Sequence, residues 1–313
     1  MKALITYNYG DEKMNALRKL GYELVYRHED NMVNDEETDD AEILICYDPF
    51  RTFDITRMKR LRWVQLSSIG VDQVSHDFIT QNGILLTNNR GGYSIPMGEW
   101  IVLKILEIYK NSRFFYENQK NKTWKLSKNV YEIYGTTIGF LGTGTIAQEA
   151  AKRLSGFGTR LIGLNTKGRD VEGFENCYSL EELEEFLRAC DTLVLSIPYT
   201  DSTHHIMDKQ KLGMMKDGSV IINISRGSIM DEDALIEKLE EGKFLGAALD
   251  VFEQEPLDKS SKLWEMQNVL VTPHNSWVSQ MRDERRFEMI FENLKRYRDN
   301  RTLVNMVDLK RGY

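Results

Sequence analysis

Three polar positions just past apolar runs carry the residue types in this chain that could do chemistry: Arg226, Glu255 and His274. Arg226 lies in Ile222-Asn223-Ile224-Ser225-Arg226-Gly227, at the end of a very apolar stretch, and its planar fork of N–H donors suits a carboxylate. A second run ends in the acidic segment Leu249-Asp250-Val251-Phe252-Glu253-Gln254-Glu255-Pro256. A third ends in Val271-Thr272-Pro273-His274-Asn275-Ser276-Trp277, with the histidine just beyond its strand. Ligands of open parallel sheets lie beyond the carboxyl ends of the strands. If these runs are neighbouring parallel strands, an anion-binding arginine, acids and a histidine converge on one edge.

The element that must organise such a sheet is Thr137-Ile138-Gly139-Phe140-Leu141-Gly142-Thr143-Gly144-Thr145-Ile146-Ala147, an apolar run that breaks into glycines and resumes with helix formers. It reads as strand, tight turn and helix start, which presents the backbone N–H groups of Gly142, Thr143, Gly144, Thr145 and Ile146 to a phosphate. Gly142 takes the turn, Gly144 lets the main chain approach a pyrophosphate, and Ala147 fills the third position of the fingerprint. Continuously apolar runs at residues 137–141, 160–164, 192–197, 220–224, 247–249 and 269–271, with helical stretches such as 180–189 and 231–241 between them, predict a six-stranded doubly wound dinucleotide domain. About twenty residues past the glycines such folds offer an acid to the adenosine ribose of NAD. Here the chain reads Leu164-Asn165-Thr166-Lys167-Gly168-Arg169. Asn165 and Thr166 can hydrogen-bond a 2′-phosphate and Lys167 and Arg169 can neutralise it, so NADP(H) is the expected cofactor, with NAD(H) the choice if Lys167 and Arg169 only decorate a solvated loop.

The first ninety residues alternate short strands (residues 3–7, 23–26, 43–46, 63–66 and 84–87) with helical segments, which implies a second parallel sheet covered by helices. Ser67-Ser68-Ile69-Gly70-Val71-Asp72 follows a strand directly; it is either an ordinary strand-to-helix turn or a set of amides holding a small anion. From Ser94-Ile95-Pro96 a long helix runs to about residue 119, and a domain break falls near its start. A last amphipathic helix over about residues 279–299 leads the chain away from the second sheet. The 313 residues allow two domains, and 41% hydrophobic with 28% charged residues is the balance of a globular protein. A net charge of −7 argues against nucleic acid or an anionic membrane as the main partner. No apolar run approaches the roughly 18 residues of a membrane span and the N-terminus lacks a signal-peptide pattern, so a cytoplasmic location is expected. Cys46, Cys177 and Cys190 have no metal-ligand spacing and read as small buried apolar residues.

Taken together, Ser68-Ile69-Gly70-Val71-Asp72, Pro96-Met97-Gly98-Glu99, Gly142 to Ala147, Met215-Lys216-Asp217-Gly218 through Arg226-Gly227, Ala248-Leu249-Asp250-Val251-Phe252, Glu255-Pro256, Thr272-Pro273-His274 and Val304-Asn305-Met306-Val307-Asp308 resemble the D-isomer-specific 2-hydroxyacid dehydrogenases over nearly the whole length. The resemblance implies two Rossmann-like or flavodoxin-like parallel-sheet α/β domains. A substrate domain of residues 1–95 plus 286–313 would be split by a nucleotide domain of residues 96–285, which would also build a homodimer. It implies an oxidoreductase interconverting a small 2-oxo acid and its D-2-hydroxy acid. Arg226 would bind the substrate carboxylate, His274 would protonate the carbonyl oxygen, and Glu255 would hold the imidazole in its charged form. Ser68, Ile69 and Gly70 would form a second carboxylate clamp. Ile197, Pro198, Ile224, Ser225, Arg226 and His274 would line the cofactor, with Asp250 receiving its carboxamide. Three positions depart from the family pattern: Ala147 replaces a glycine, Asn165 replaces the ribose-binding acid, and Trp277 is bulkier than the usual glycine, either narrowing the pocket or touching substrate, or else belonging to the core. D-3-phosphoglycerate dehydrogenase is the alternative within enzymes. An NAD(P)-sensing regulatory binding protein, as in the corepressors that resemble this family, is the alternative outside them.

Overall fold

A computed structural model describes residues 1–311 and divides the chain into two compact units, residues 1–93 with 279–313 and residues 94–278. The first unit contains β1 (Lys2–Ile5), α1 (Asp11–Lys19), β2 (Glu23–Tyr26), α2 (Glu36–Asp39), β3 (Ile43–Cys46), β4 (Trp63–Leu66), α3 (His76–Gln81) and β5 (Leu85–Thr87). The five strands are parallel in the order β2-β1-β3-β4-β5, so the order reverses between β1 and β3. Side chains alternate along each strand. Ala3, Ile5, Ile43, Ile45 and Trp63 join one apolar cluster, while Leu4, Leu44, Cys46, Val64 and Leu66 join the other. The central strands β1, β3 and β4 are therefore buried on both faces, which explains why they read as apolar runs.

The second unit begins with α4 (Ser94–Tyr109) and α5 (Ser112–Lys120). The single helix expected to residue 119 is broken here, because Asn111 takes a left-handed conformation (φ 51°), which asparagine tolerates better than most residues. There follow β6 (Thr137–Leu141), α6 (Thr145–Leu154), β7 (Arg160–Leu164), β8 (Asn176–Tyr178), α7 (Leu183–Ala189), β9 (Thr192–Leu195), α8 (Lys209–Met214), β10 (Ser219–Asn223), α9 (Glu232–Glu240), β11 (Phe244–Leu249) and β12 (Val269–Val271). Seven parallel strands, not six, lie in the order β12-β11-β10-β9-β6-β7-β8. The additional strand, β8, is a three-residue edge strand beginning at an exposed Asn176, which leaves no apolar run to detect. The order reverses between β6 and β9, where the glycine turn emerges.

The chain then returns to the first unit through α10 (Arg282–Arg298). The return falls at residue 279 rather than 286, because the first turns of α10 already belong to the first unit: Tyr7 donates to Asp283 at 2.8 Å and Arg286 stacks on the Tyr7 ring. Buried Asn293 ties the helix down, donating to Gln65 Oε1 (2.8 Å) and accepting from the Val304 amide (2.7 Å). The closing segment bridges Met306 antiparallel to Thr87. The three cysteines are buried and free, and burial pushes the Cys190 thiol up to about 12. No helix among the described residues is long and apolar enough to cross a membrane.

Candidate active site

Gly142 closes β6 at φ +101°, and a Cβ there would come within 2.7 Å of the Ser196 carbonyl, so only glycine fits both the turn and the close approach of the β9 loop. At Gly144 a Cβ would meet nothing within 4 Å, leaving bare main chain beside open space. Gly144 is the N-cap of α6 and no side chain caps that helix, so the first-turn amides, from Thr145 onward, lack protein partners. The Ser225 and Ser276 hydroxyls are buried without hydrogen-bond partners among the described residues. Buried polar atoms are seldom left unpaired. An uncapped helix start, a bare glycine and two orphaned hydroxyls are what a dinucleotide with phosphate oxygens and a carboxamide would satisfy, and these residues fit such a group. Ser276 was not singled out in the sequence; its only signal there is its position two residues after His274.

After β7, the structure gives Asn165 a task inside its own loop. Its Oδ1 accepts from the amides of Arg169 (3.0 Å) and Lys167 (3.4 Å), and its Nδ2 donates to the Arg169 carbonyl (2.8 Å). The Asn165 side chain thus shapes the turn that carries Thr166, Lys167 and Arg169. Thr166, Lys167 and Arg169 are exposed, and neither basic side chain has an ion pair among the described residues.

Beyond β10, β11 and β12 the three polar segments do come together. Gly227 is required by contact: a Cβ there would fall 1.8 Å from the Phe252 carbonyl carbon, so the Arg226–Gly227 turn lies directly on the loop that carries Glu255. His274 Nδ1 is 2.9 Å from Glu255 Oε2, while Glu255 Oε1 accepts the Phe252 amide at 3.1 Å. Burial pushes the Glu255 carboxyl up, but the His274 hydrogen bond, the Phe252 amide and the charges of His274 and Arg226 outweigh it and hold the group below the usual range. A carboxyl lowered in the folded state stabilises the fold above its unfolded pKa of about 4.3, and that contribution disappears as pH falls through the lower folded value. Thermal melts of wild type and Glu255→Gln are expected to differ at pH 7 and to converge below about pH 4; a difference that persists unchanged into acid would contradict this.

His274 itself sits at φ +50° and is held there by a dense set of bonds. Its amide donates to the Asp250 carbonyl at 2.8 Å, and the Trp277 indole donates to the His274 carbonyl at 2.8 Å. Asp250 is fully buried; its Oδ1 accepts from Thr272 Oγ1 (2.5 Å) and the Asn275 amide (2.8 Å), and its Oδ2 from the Ser276 amide (2.9 Å). Through these bonds Asp250, the acid expected to receive a carboxamide, also clamps the histidine loop. Trp277, whose place the sequence left open, is partly buried and serves as the second clamp. On the stretch after β9 that is expected to line a cofactor, Ser196 Oγ donates to the Gly142 carbonyl (2.9 Å) and the Pro198 carbonyl accepts from Thr203.

In the first unit, Ser68–Gly70 follows β4. Each nearby carbonyl is taken by a separate donor. Tyr93 donates its hydroxyl to Ser67 O (2.6 Å), Asn89 its amide to Ser68 O (2.8 Å), Asn88 its Nδ2 to Ile69 O (2.8 Å) and Ser68 its Oγ to Gly70 O (2.7 Å). Gln73 Nε2 pins the loop by donating to Ser68 Oγ (2.7 Å) and Tyr47 O (2.9 Å). The amides of Ser68, Ile69 and Gly70 donate to no acceptor among the described residues. Successive free amides with their carbonyls turned away form a concave donor set for an anion. Gln73, Asn88 and Tyr93 were not visible as contributors in the sequence, since their role depends on contacts the chain makes only when folded.

A seven-stranded doubly wound domain with a glycine turn at its switch point, and an Arg–Glu–His set at its strand ends, defines a dinucleotide-dependent oxidoreductase. Residues 102–276 match the family model described as D-isomer specific 2-hydroxyacid dehydrogenase, NAD binding domain, and the chain belongs to that family. A glyoxylate reductase of Pyrococcus horikoshii is 34% identical over 266 residues, covering 80% of this chain and 78% of that protein. A D-3-phosphoglycerate dehydrogenase of Methanocaldococcus jannaschii is 30% identical over 88% of this chain, which spans 53% of that protein. The structure of an NADPH-dependent glyoxylate/hydroxypyruvate reductase from Sinorhizobium meliloti, in complex with NADP and sulfate, superimposes with a TM-score of 0.83 at 26% identity, covering 100% of this chain and 99% of that one. The chain is accordingly an NAD(P)-dependent oxidoreductase acting on CH–OH donors.

Proposed function

We infer that this protein reduces a small 2-oxo acid of glyoxylate or hydroxypyruvate size to its D-2-hydroxy acid, using NADPH in preference to NADH. The observation that carries the reading is His274 Nδ1 at 2.9 Å from a carboxylate held in its charged form, with Arg226 on the adjoining turn. A nicotinamide cofactor held there would supply the hydride that the carbonyl carbon accepts. Arg226 holds the substrate carboxylate and polarises the carbonyl. His274 delivers a proton from Nε2 to the carbonyl oxygen, because Nδ1 is engaged by Glu255. Asp250 and Trp277 keep the imidazole aimed by fixing its backbone. The free amides of Ser68, Ile69 and Gly70 are, in this reading, a carboxylate-binding donor set of the first unit. The split first unit is in this reading the substrate domain and the second the nucleotide domain. A homodimer belongs to the same reading: Tyr116, Trp124, Leu126 and Tyr134 are all exposed within one stretch of the second unit, an apolar surface that a second copy would cover.

Support for NADPH comes from Lys167 and Arg169, two unneutralised cations on a turn preformed by Asn165 where an acid would otherwise meet the ribose. An exposed ion contact is worth up to about 1 kcal/mol, so two of them give up to about 2 kcal/mol, roughly 30-fold. The double variant Lys167→Ala/Arg169→Ala is expected to raise KM for NADPH by about 10- to 30-fold and to leave KM for NADH within about twofold. Steady-state kinetics with both cofactors decide it, and a wild type that prefers NADH would overturn the NADPH assignment. Chiral chromatography of the product of hydroxypyruvate reduction checks the stereochemistry: D-glycerate is expected, and L-glycerate would sink the proposed reaction.

A further inference from the structure

Arg286, the fifth residue of α10, is only 7% exposed, an unusual place for a cation. Its guanidinium carbon stands 4.2 Å from the centroid of Tyr7 and 5.3 Å from that of Tyr9, and its Nη2 donates to Asp283 Oδ1 at 3.0 Å. Asp283 does not neutralise it fully. That carboxylate also accepts from Arg282 (2.9 Å) and from the Tyr7 hydroxyl (2.8 Å), so two guanidinium groups share one negative charge. The nearest other acid on the helix, Glu284, is paired with Lys13. Arg286 Nε is buried with no hydrogen-bond partner among the described residues. An incompletely compensated buried cation is costly, and a buried ion pair replaced as a whole by well-packed apolar groups is often as stable or more so. Its retention here calls for a use.

The use lies one residue away from the free amides. Tyr93 is packed beside Arg286; burial pushes the Tyr93 hydroxyl's pKa up, and Arg286 is the strongest influence in the other direction. That hydroxyl donates to the carbonyl of Ser67 at 2.6 Å, immediately before the Ser68–Gly70 amides. The contact with the cation polarises the hydroxyl, and the hydroxyl in turn draws the Ser67 carbonyl away from the concave side, which turns the following N–H toward it. We propose that Arg286 is a positioning residue for the substrate carboxylate, its under-neutralised charge acting through Tyr93 and Ser67 to make the Ser68–Gly70 amide set selective for an anion. This rests on the reading of those amides as a carboxylate clamp. Arg286 touches no substrate in this scheme; it supplies field and orientation from below.

The test is steady-state kinetics on the full chain with saturating cofactor and the best 2-oxo acid substrate. Arg286→Met, which keeps the bulk and removes the charge, is expected to raise KM by about 5- to 10-fold with kcat within about twofold, the scale of one unit charge acting through partly screened protein. Arg286→Lys restores the charge and is expected to return KM to within about threefold of wild type. Asp283 keeps Arg282 in either variant, and a thermal melt reports whether folding survives. If Arg286→Met does not fold, Tyr93→Phe breaks the link while keeping the ring and is expected to raise KM about 3- to 5-fold at constant kcat. An unchanged KM in Arg286→Met or in Tyr93→Phe overturns the proposal, as does a lysine variant no better than methionine. Gly70→Pro, which deletes one clamp amide, separates the two levels: a raised KM there with no effect of Arg286 refutes Arg286 alone. An unchanged KM in Gly70→Pro refutes the carboxylate clamp and this proposal with it.

Discussion

Replacing His274 with glutamine is expected to lower kcat by about 10²- to 10⁴-fold while leaving the Kd for NADPH within about twofold. Glutamine can still occupy the volume and donate a neutral hydrogen bond to Glu255, but it carries no transferable proton, so the loss isolates proton delivery to the carbonyl oxygen from orientation of the substrate. The fold should survive the change, since the left-handed residue 274 is held by main-chain bonds to Asp250 and by the Trp277 indole rather than by its own ring. Stopped-flow turnover together with cofactor titration by fluorescence measures both quantities. Turnover within threefold of wild type would remove His274 from the mechanism.

Arg226 gives the second large effect. Arg226→Ala is expected to reduce kcat/KM by about 10²- to 10³-fold, because a charge-assisted pair to the substrate carboxylate is lost and the carbonyl is no longer polarised. Arg226→Lys is expected to recover only part of this, since an ammonium cannot reproduce two parallel N–H donors. The comparison is informative because Arg226 precedes Gly227, whose contact with Phe252 fixes the turn independently of the arginine side chain. A lysine variant equal to wild type would mean that simple charge, not the planar fork, is what the site uses.

The parallel sheets were legible because their central strands are buried on both faces and read as apolar runs; β6, β7 and β12 match the runs at 137–141, 160–164 and 269–271 residue for residue. What failed to show was either too short or too polar to carry that signal, as with β8, or depended on a single residue's dihedral, as with the break at Asn111. The strand-end positions of Arg226, Glu255 and His274 followed from topology, but the tasks of their neighbours did not. Asp250 and Asn165 have the side chains of ligand contacts, and both also bond their own loops. Such local side-chain-to-backbone bonding is an ordinary alternative for Asp and Asn, and nothing in residue type separates the two uses. The amide set at Ser68–Gly70 was visible as a turn, whereas the donors that orient it come from Gln73, Asn88, Asn89 and Tyr93, and the cation beneath from residue 286.

The most direct measurement is the change in absorbance at 340 nm when the purified full chain meets a panel of 2-oxo acids, from glyoxylate and hydroxypyruvate to branched 2-oxo acids and 3-phosphohydroxypyruvate, with NADPH and separately with NADH. The expected result is rapid oxidation of NADPH with a small unphosphorylated 2-oxo acid, slower with NADH. No change with any acid and either cofactor would contradict the proposed reaction, and a rate confined to the phosphorylated acid would transfer the assignment to a 3-phosphoglycerate dehydrogenase.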